Sequence, residues 1–118
     1  MSDDRFAVPP EPPYFAVIFA SQRSHGGALE GDDYGEISDR MAELARGRDG
    51  YLGIESARDA SGFGITISYW KDEASIAGWK ADFEHREAQR RGRHDFYDHF
   101  ELKVARVERQ KSYRRKAP

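Results

Sequence analysis

Apolar residues along this chain follow two different rhythms. Tyr14 to Ser21, YFAVIFAS, is apolar in both alternating sets: Phe15, Val17 and Phe19 on one side, Tyr14, Ala16, Ile18 and Ala20 on the other. A strand apolar on both faces is expected to be covered on both. Gln22 to Gly31 reads as a polar loop given freedom by Gly26-Gly27. A helix is expected over Tyr34 to Arg46, capped by Asp32 or Asp33, with Tyr34, Ile37, Met41, Leu44 and Ala45 as its buried stripe and Gly47 and Gly50 marking its end. Tyr51 to Arg58 forms a second strand with Leu52 and Ile54 on one face, and Asp59-Ala60-Ser61-Gly62 turns it into a third. There Phe63, Ile65, Ile67 and Tyr69 alternate with Gly64, Thr66, Ser68 and Trp70, the period of a strand with one apolar face.

The rhythm then changes. Ile76, Trp79 and Phe83 recur at helical spacing. Asp72 stands where an N-cap belongs, its carboxylate placed to accept the free amide of Ser75, and Asp72 and Glu73 suit the positive end of the helix dipole. After Gly92 an aromatic, histidine-rich connector, HDFYDHF, leads to a last strand over Leu102 to Arg109. Leu102 and Val104 share one parity and Val107 has the other, which implies a bulge or a change of exposed face.

Strand, helix, strand, strand, helix, strand is the ferredoxin-like β-α-β-β-α-β order: an α+β fold with four antiparallel strands and both helices on one face. Helices on one face leave the other apolar face of the first strand bare, and an identical subunit is the simplest cover. Residues 1–13 hold Pro9, Pro10, Pro12 and Pro13 and read as an extended tail, a spacer or a strap over a neighbouring subunit. The domain then runs over 14–113, with a basic tail over 114–118.

Composition narrows the chemistry. The length of 118 residues fits one domain, and fifteen aromatics argue for a packed core. With no cysteine there is no disulfide, thiolate metal site or cysteine nucleophile. No apolar run reaches the ~18 residues of a membrane span, and the acidic start lacks the order of a signal peptide, so a cytoplasmic protein is expected. The net charge of −2 predicts no polyanionic partner such as nucleic acid, although Glu101 to Pro118 carries seven Lys/Arg against two Glu. Gly62-Phe63-Gly64 precedes a strand and lacks a further glycine, so it is no phosphate cradle. His94 and His99, with Asp95 and Asp98 nearby, show no recognised ligand spacing, and no metal is expected.

Trp79 lies on the apolar stripe of the second helix, as core or as a pocket wall. His85 is the best titratable candidate, but on one straight helix it lies about 155° from the centre of that stripe. A break after Lys80, with Asp82 capping a new segment from Phe83, would bring His85, Ala88 and Gln89 onto a shared face.

The run ITISYWKDEASIAGWKADFEHREAQRRGRHDFY, with YFAVIFASQRS upstream and DGYLGIESARD between, resembles the antibiotic biosynthesis monooxygenase-like proteins of the dimeric α/β-barrel superfamily. The resemblance spans about Tyr14 to Tyr113. It implies a homodimer closing a barrel, and a monooxygenase needing no cofactor that acts on a small phenol- or quinol-like substrate, with Trp70, Trp79 and Phe83 as wall, His85 as base and Gln22 and Gln89 as polar contacts. A non-catalytic small-molecule-binding or stress-related dimer is the alternative. The haem-degrading branch of the superfamily has an Asn on the first strand, a Trp on the second helix and a His ten residues later. Trp79 matches, but Gln22 and Gln89 stand at the other two positions, and glutamine is a poor axial ligand for haem iron.

Overall fold

The computed structural model describes residues 5–23, 43, 45–90 and 97–116, with 83–90 and 97 as backbone alone. Its four strands are β1 (Tyr14–Arg23), β2 (Tyr51–Arg58), β3 (Phe63–Trp70) and β4 (Tyr97–Val107), and helix α1 is Glu73–Arg90. The sheet order is β2-β3-β1-β4 with every pairing antiparallel, the arrangement expected of a ferredoxin-like chain. No described helix is long and apolar enough to cross a membrane.

Most of the expected helix over Tyr34 to Arg46, including Tyr34, Ile37, Met41 and Leu44, lies outside the described residues. Its last turn is helical at Glu43, Ala45 and Arg46 and ends where the Gly47 amide donates to the Glu43 carbonyl at 3.2 Å. Ala45 is buried with Val17, Trp70 and Ile76, so both helical segments meet the same sheet face. Two strands are longer than the apolar pattern suggested. β1 runs on through Gln22 and Arg23, and β4 begins at Tyr97, taking up much of the connector.

Register decides how three strands face. In β3 the helix-facing set is Gly64, Thr66, Ser68 and Trp70, since Trp70 lies opposite Phe15 and Ser68 opposite Val17. The more apolar set, Phe63, Ile65, Ile67 and Tyr69, faces away from the helices. In β2 the register shifts between Tyr51 and Gly53. Leu52 is the extra residue of that bulge, which turns Tyr51 instead toward the helix side to meet Trp70 edge-on at 5.6 Å. In β4 the register is unbroken from His99 to Val107. Val107 therefore shows its odd parity by lying on the open face, opposite Tyr14, and not through a bulge.

The local signals that start α1 hold. Asp72 Oδ1 accepts the Ser75 amide at 2.8 Å and its hydroxyl at 2.7 Å, and these bonds hold the Asp72 carboxyl below its ordinary pKa. The break expected near Asp82 is absent, since the backbone is helical from Glu73 through Arg90. Asp82 does not cap a new segment. It pairs with Arg48 from the loop before β2, and Gly78 leaves the room for that guanidinium, which lies 2.8 Å from where a Cβ would stand.

The β2–β3 turn is built on Asp59, whose Oδ1 accepts the Ser61 hydroxyl, the Ser61 amide and the Phe63 amide at 2.6–3.1 Å. The first of these bonds does most to lower its carboxyl pKa. Gly62 closes the turn at a φ of 94°.

The proline-rich segment lies against its own sheet. The Ala7 amide donates to Glu55 Oε2 at 3.1 Å, and Gln110 Nε2, beyond β4, donates to the Pro10 carbonyl at 3.2 Å. Ala7 packs so closely on Gly53 that a Cβ there would fall 2.9 Å from the alanine methyl. This strap covers one end of the open face. At the other end Phe63 and Ile65 are 46% and 42% exposed.

Candidate functional site

The helix-facing side of the sheet changes character along its length. One end is apolar: Phe15, Val17, Trp70 and Tyr51 from the strands meet Ile76 and Trp79 from α1 and the buried Ala45. Trp70 is wholly buried and its ring centre lies 6.0 Å from that of Trp79, inclined at 45°. The two tryptophans singled out from the sequence are thus neighbours, one at the end of β3 and one on the second turn of α1.

Toward the middle and far end this face carries polar groups under cover. Ser68, 4% exposed, accepts the Trp70 indole N–H at 2.9 Å. Ser21, 2% exposed, accepts from Arg58 at 3.0 Å, and Arg58 also donates to the Ser21 and Gly62 carbonyls. Arg23 is buried at the end of β1. Gly64 makes the Arg58 arrangement possible. A Cβ at this position would sit 2.8 Å from the guanidinium carbon and 3.0 Å from the Ala57 carbonyl oxygen. Phe19 and Phe100 lie beside this polar patch with ring centres 5.3 Å apart and planes inclined at 48°. A flat ligand on this side would find aromatic surface beside hydroxyl and guanidinium donors.

The other sequence candidates are distributed differently. Gln22 points to the open face at the far end of β1, about 23 Å along the strand from Phe15 at the usual rise, and its amide donates to the Ser61 carbonyl at 2.8 Å. It is not brought to the tryptophan pair. Phe83, His85 and Gln89 lie on the continuous part of α1, but their side chains are outside the described ones, as is His94. His99 is exposed on β4 and shares a hydrogen bond of 2.7 Å with Glu101, which lowers the pKa of that carboxyl. Among the described residues no three His, Asp or Glu side chains gather as metal ligands would.

Sequence reasoning missed Ser21, Ser68, Arg58 and Arg23. A signal was present: Ser21 and Arg23 continue the parity of Phe15, Val17 and Phe19, and Thr66 and Ser68 share the parity of Trp70. The alternation of β3 alone did not say which of its sets faces the helices.

The open face holds a second polar cluster, at its strapped end. The Tyr69 hydroxyl donates to Glu55 Oε1 at 2.6 Å and its ring meets Tyr14 edge-on at 5.7 Å, while the Tyr14 hydroxyl donates to Gln110 Oε1 at 2.6 Å. Burial, then the bond to Glu55, raises the Tyr69 pKa well above that of a free phenol, and burial does the same for Tyr14. Both phenols are therefore neutral donors at ordinary pH and not bases. They pin the strap and the segment after β4 to the sheet.

No family model matches the chain. It is 42% identical over 110 residues to the uncharacterized protein YqjZ of Bacillus subtilis, covering 93% of each chain. It is 30% identical over 97 residues to the jasmonate monooxygenase ABM of Pyricularia oryzae, matching 79% of this chain and 43% of that longer protein. The fold matches that of SnoaB from Streptomyces nogalater, a cofactor-independent oxygenase, with a TM-score of 0.64 at 14% identity, over 83% of this chain and 95% of the other. By sequence the chain belongs to the same family as YqjZ, and its fold is that of the cofactor-independent oxygenase SnoaB.

Proposed function

We propose that this protein is a monooxygenase that uses no bound cofactor and acts on a small electron-rich aromatic, a phenol or quinol. The carrying observation is the mixed lining of the helix-facing side: the Trp70–Trp79 pair adjoins the buried hydroxyl of Ser68, and the buried hydroxyl of Ser21 lies further along the same face. The wall suits a flat ring, and the donors suit an oxygen that gains negative charge. The monooxygenase named among its relatives and the oxygenase that shares its fold support the same class.

In this reaction a base removes a proton from a ring-activated methylene. The carbanion passes one electron to dioxygen, the radical pair combines to a peroxide, and loss of water leaves a carbonyl. One methylene and one dioxygen thus give one carbonyl and one water, so the substrate supplies all the electrons. The protein's part is to hold the ring, take the proton and stabilise the oxyanion. Trp70, Trp79 and Phe83 form the wall. On the continuous α1 His85 lies about 155° from the stripe that carries Trp79, so for His85 to act as the base in this proposal α1 must open near Asp82 when substrate binds, with Gln89 as a further polar contact. Gln22, on the opposite face of the sheet and bound to the Ser61 carbonyl, takes no part in holding a substrate on this side.

The working unit in this proposal is a homodimer. Phe63, Ile65, Ile67, Ile18 and Ala20 share the face that no described helix covers, and a second copy laid on it would bury them. Obligate interfaces of this kind bury roughly 2,000 Å² or more. Sedimentation at micromolar concentration should give twice 13.5 kDa, and a stable folded monomer would remove the dimer from the proposal.

The decisive experiment is oxygen uptake with a panel of phenols and quinols. Turnover should fall roughly 10²–10⁴-fold in His85→Ala with melting unchanged. Ligand binding without oxygen consumption by any panel member would favour a non-catalytic binding protein instead. Turnover untouched by His85→Ala would move the base elsewhere.

A further inference from the structure

Ser68 stands out among the hydroxyls of the helix-facing side. It lies in β3 between Thr66 and Trp70 on the same face, opposite Val17 of β1 and Ile54 of β2. It is nine-tenths buried and more, and its oxygen receives the Trp70 indole N–H. That bond fixes the oxygen's accepting side, so the hydroxyl proton must point elsewhere. Among the described residues no acceptor meets it. The Thr66 hydroxyl, by contrast, is paired with that of Ser56 at 2.8 Å. Ser21 lies about 13 Å further along the sheet, at the usual strand rise, and is held by Arg58.

A buried hydroxyl that accepts one bond and gives none is a costly arrangement unless something takes its proton. Trp70 makes the cost persistent. A wholly buried indole must find an acceptor, and it uses Ser68. Accepting that bond also makes the serine a better donor, because hydrogen bonds in a chain polarise one another. The result is a donor aimed away from Trp70, under cover, on the face that carries the Trp70–Trp79 pair.

Resting on the monooxygenase reading, we propose that Ser68 donates a hydrogen bond to the oxygen of the aromatic substrate, with Trp70 as the positioning residue that orients it. Ser68 would then set which end of a phenol enters first, and would strengthen its bond as the phenol oxygen becomes an oxyanion. The recognised chemistry is a ring carrying an acceptor oxygen, and the same ring without oxygen should bind more weakly.

The test uses the full chain and two matched probes, 2-naphthol and naphthalene. Trp70 and Trp79 are the only tryptophans, so quenching of their fluorescence reports binding at this place. The unchanged protein should favour 2-naphthol, and Ser68→Ala should weaken 2-naphthol by about tenfold, the size of one neutral hydrogen bond, with naphthalene unaffected. Ser68→Thr and Ser68→Val, equal in shape but with and without a hydroxyl, should differ in the same direction, which keeps the test valid if the alanine variant folds poorly. A preference for 2-naphthol that survives both Ser68→Ala and Ser68→Val would overturn the role of Ser68 while leaving the aromatic pocket standing. Quenching by neither probe would overturn the pocket, and this proposal with it.

Discussion

Gly50→Ala is a sharp perturbation because two costs coincide at one atom. Gly50 has a φ of 91°, where a side-chain-bearing residue is strained by roughly 1–2 kcal/mol. The new methyl would also lie 2.1 Å from Ser75 Oγ and 2.7 Å from Ser75 Cβ. Rotating the hydroxyl away removes the first contact but not the second, so the loop or the start of α1 must shift. Overpacking of this kind costs roughly 1–3 kcal/mol, for a total of about 2–5 kcal/mol. The shift would also strain the bond from the Lys71 amide to the Gly50 carbonyl, at 2.9 Å, and the loop that delivers Arg48 to Asp82. Urea denaturation followed by circular dichroism measures the loss. Ser75→Gly removes both clashing atoms, so in that background Gly50→Ala should cost only the backbone strain, about 1–2 kcal/mol. The coupling between the two sites is then about 1–3 kcal/mol. A loss below about 0.5 kcal/mol, or equal losses in both backgrounds, would refute the argument that this contact sets the loop against the helix.

Trp79 is half-buried against Trp70. Trp79→Ala should therefore cost about 2–3 kcal/mol, at or under the lower end for a fully buried ring, with Trp79→Phe recovering much of the loss in the same denaturation assay. Tyr69 should ionise well above free tyrosine in an ultraviolet titration, because burial and Glu55 favour its neutral form. The unfolded chain loses that proton first, so stability is full below about pH 10 and falls as pH rises beyond it, a slope that Tyr69→Phe should reduce. Haem added with a reductant in air should not be consumed, given Gln89 at the position of the expected histidine. Loss of the Soret band that depends on His85 would contradict this.

The elements that are local in origin were legible in the sequence. The cap at Asp72, the turn at Asp59 to Gly62 and the doubly apolar β1 follow from residues a few positions apart, and the structure keeps all three. What failed depends on partners remote in sequence. Asp82 makes a good cap in isolation, but Arg48, thirty-four residues earlier, engages it, and the helix runs on. Periodicity gave the alternation of β3 correctly but not which set faces the helices. That is decided by the size of Trp70, which fills the core beside Val17, and by the bulge that brings Tyr51 to the same side. The site suffered most from this. Its aromatic half was visible as two tryptophans, while its polar half was hidden in a set of small residues that looked like a solvent face.

The strap makes neighbours of two stretches at opposite ends of the chain. Pro10 and Gln110, a hundred positions apart, touch directly, and Gln110 also receives the hydroxyl of Tyr14. For protein engineering this corner is a natural splice. A short linker across it would restore connectivity to a chain reopened at the exposed β2–β3 turn, where Asp59 and Ser61 face solvent. Such a permuted chain would keep every strand pairing while freeing the hairpin tip, at the opposite end of the sheet from the Trp70–Trp79 pair, as an attachment point for a reporter.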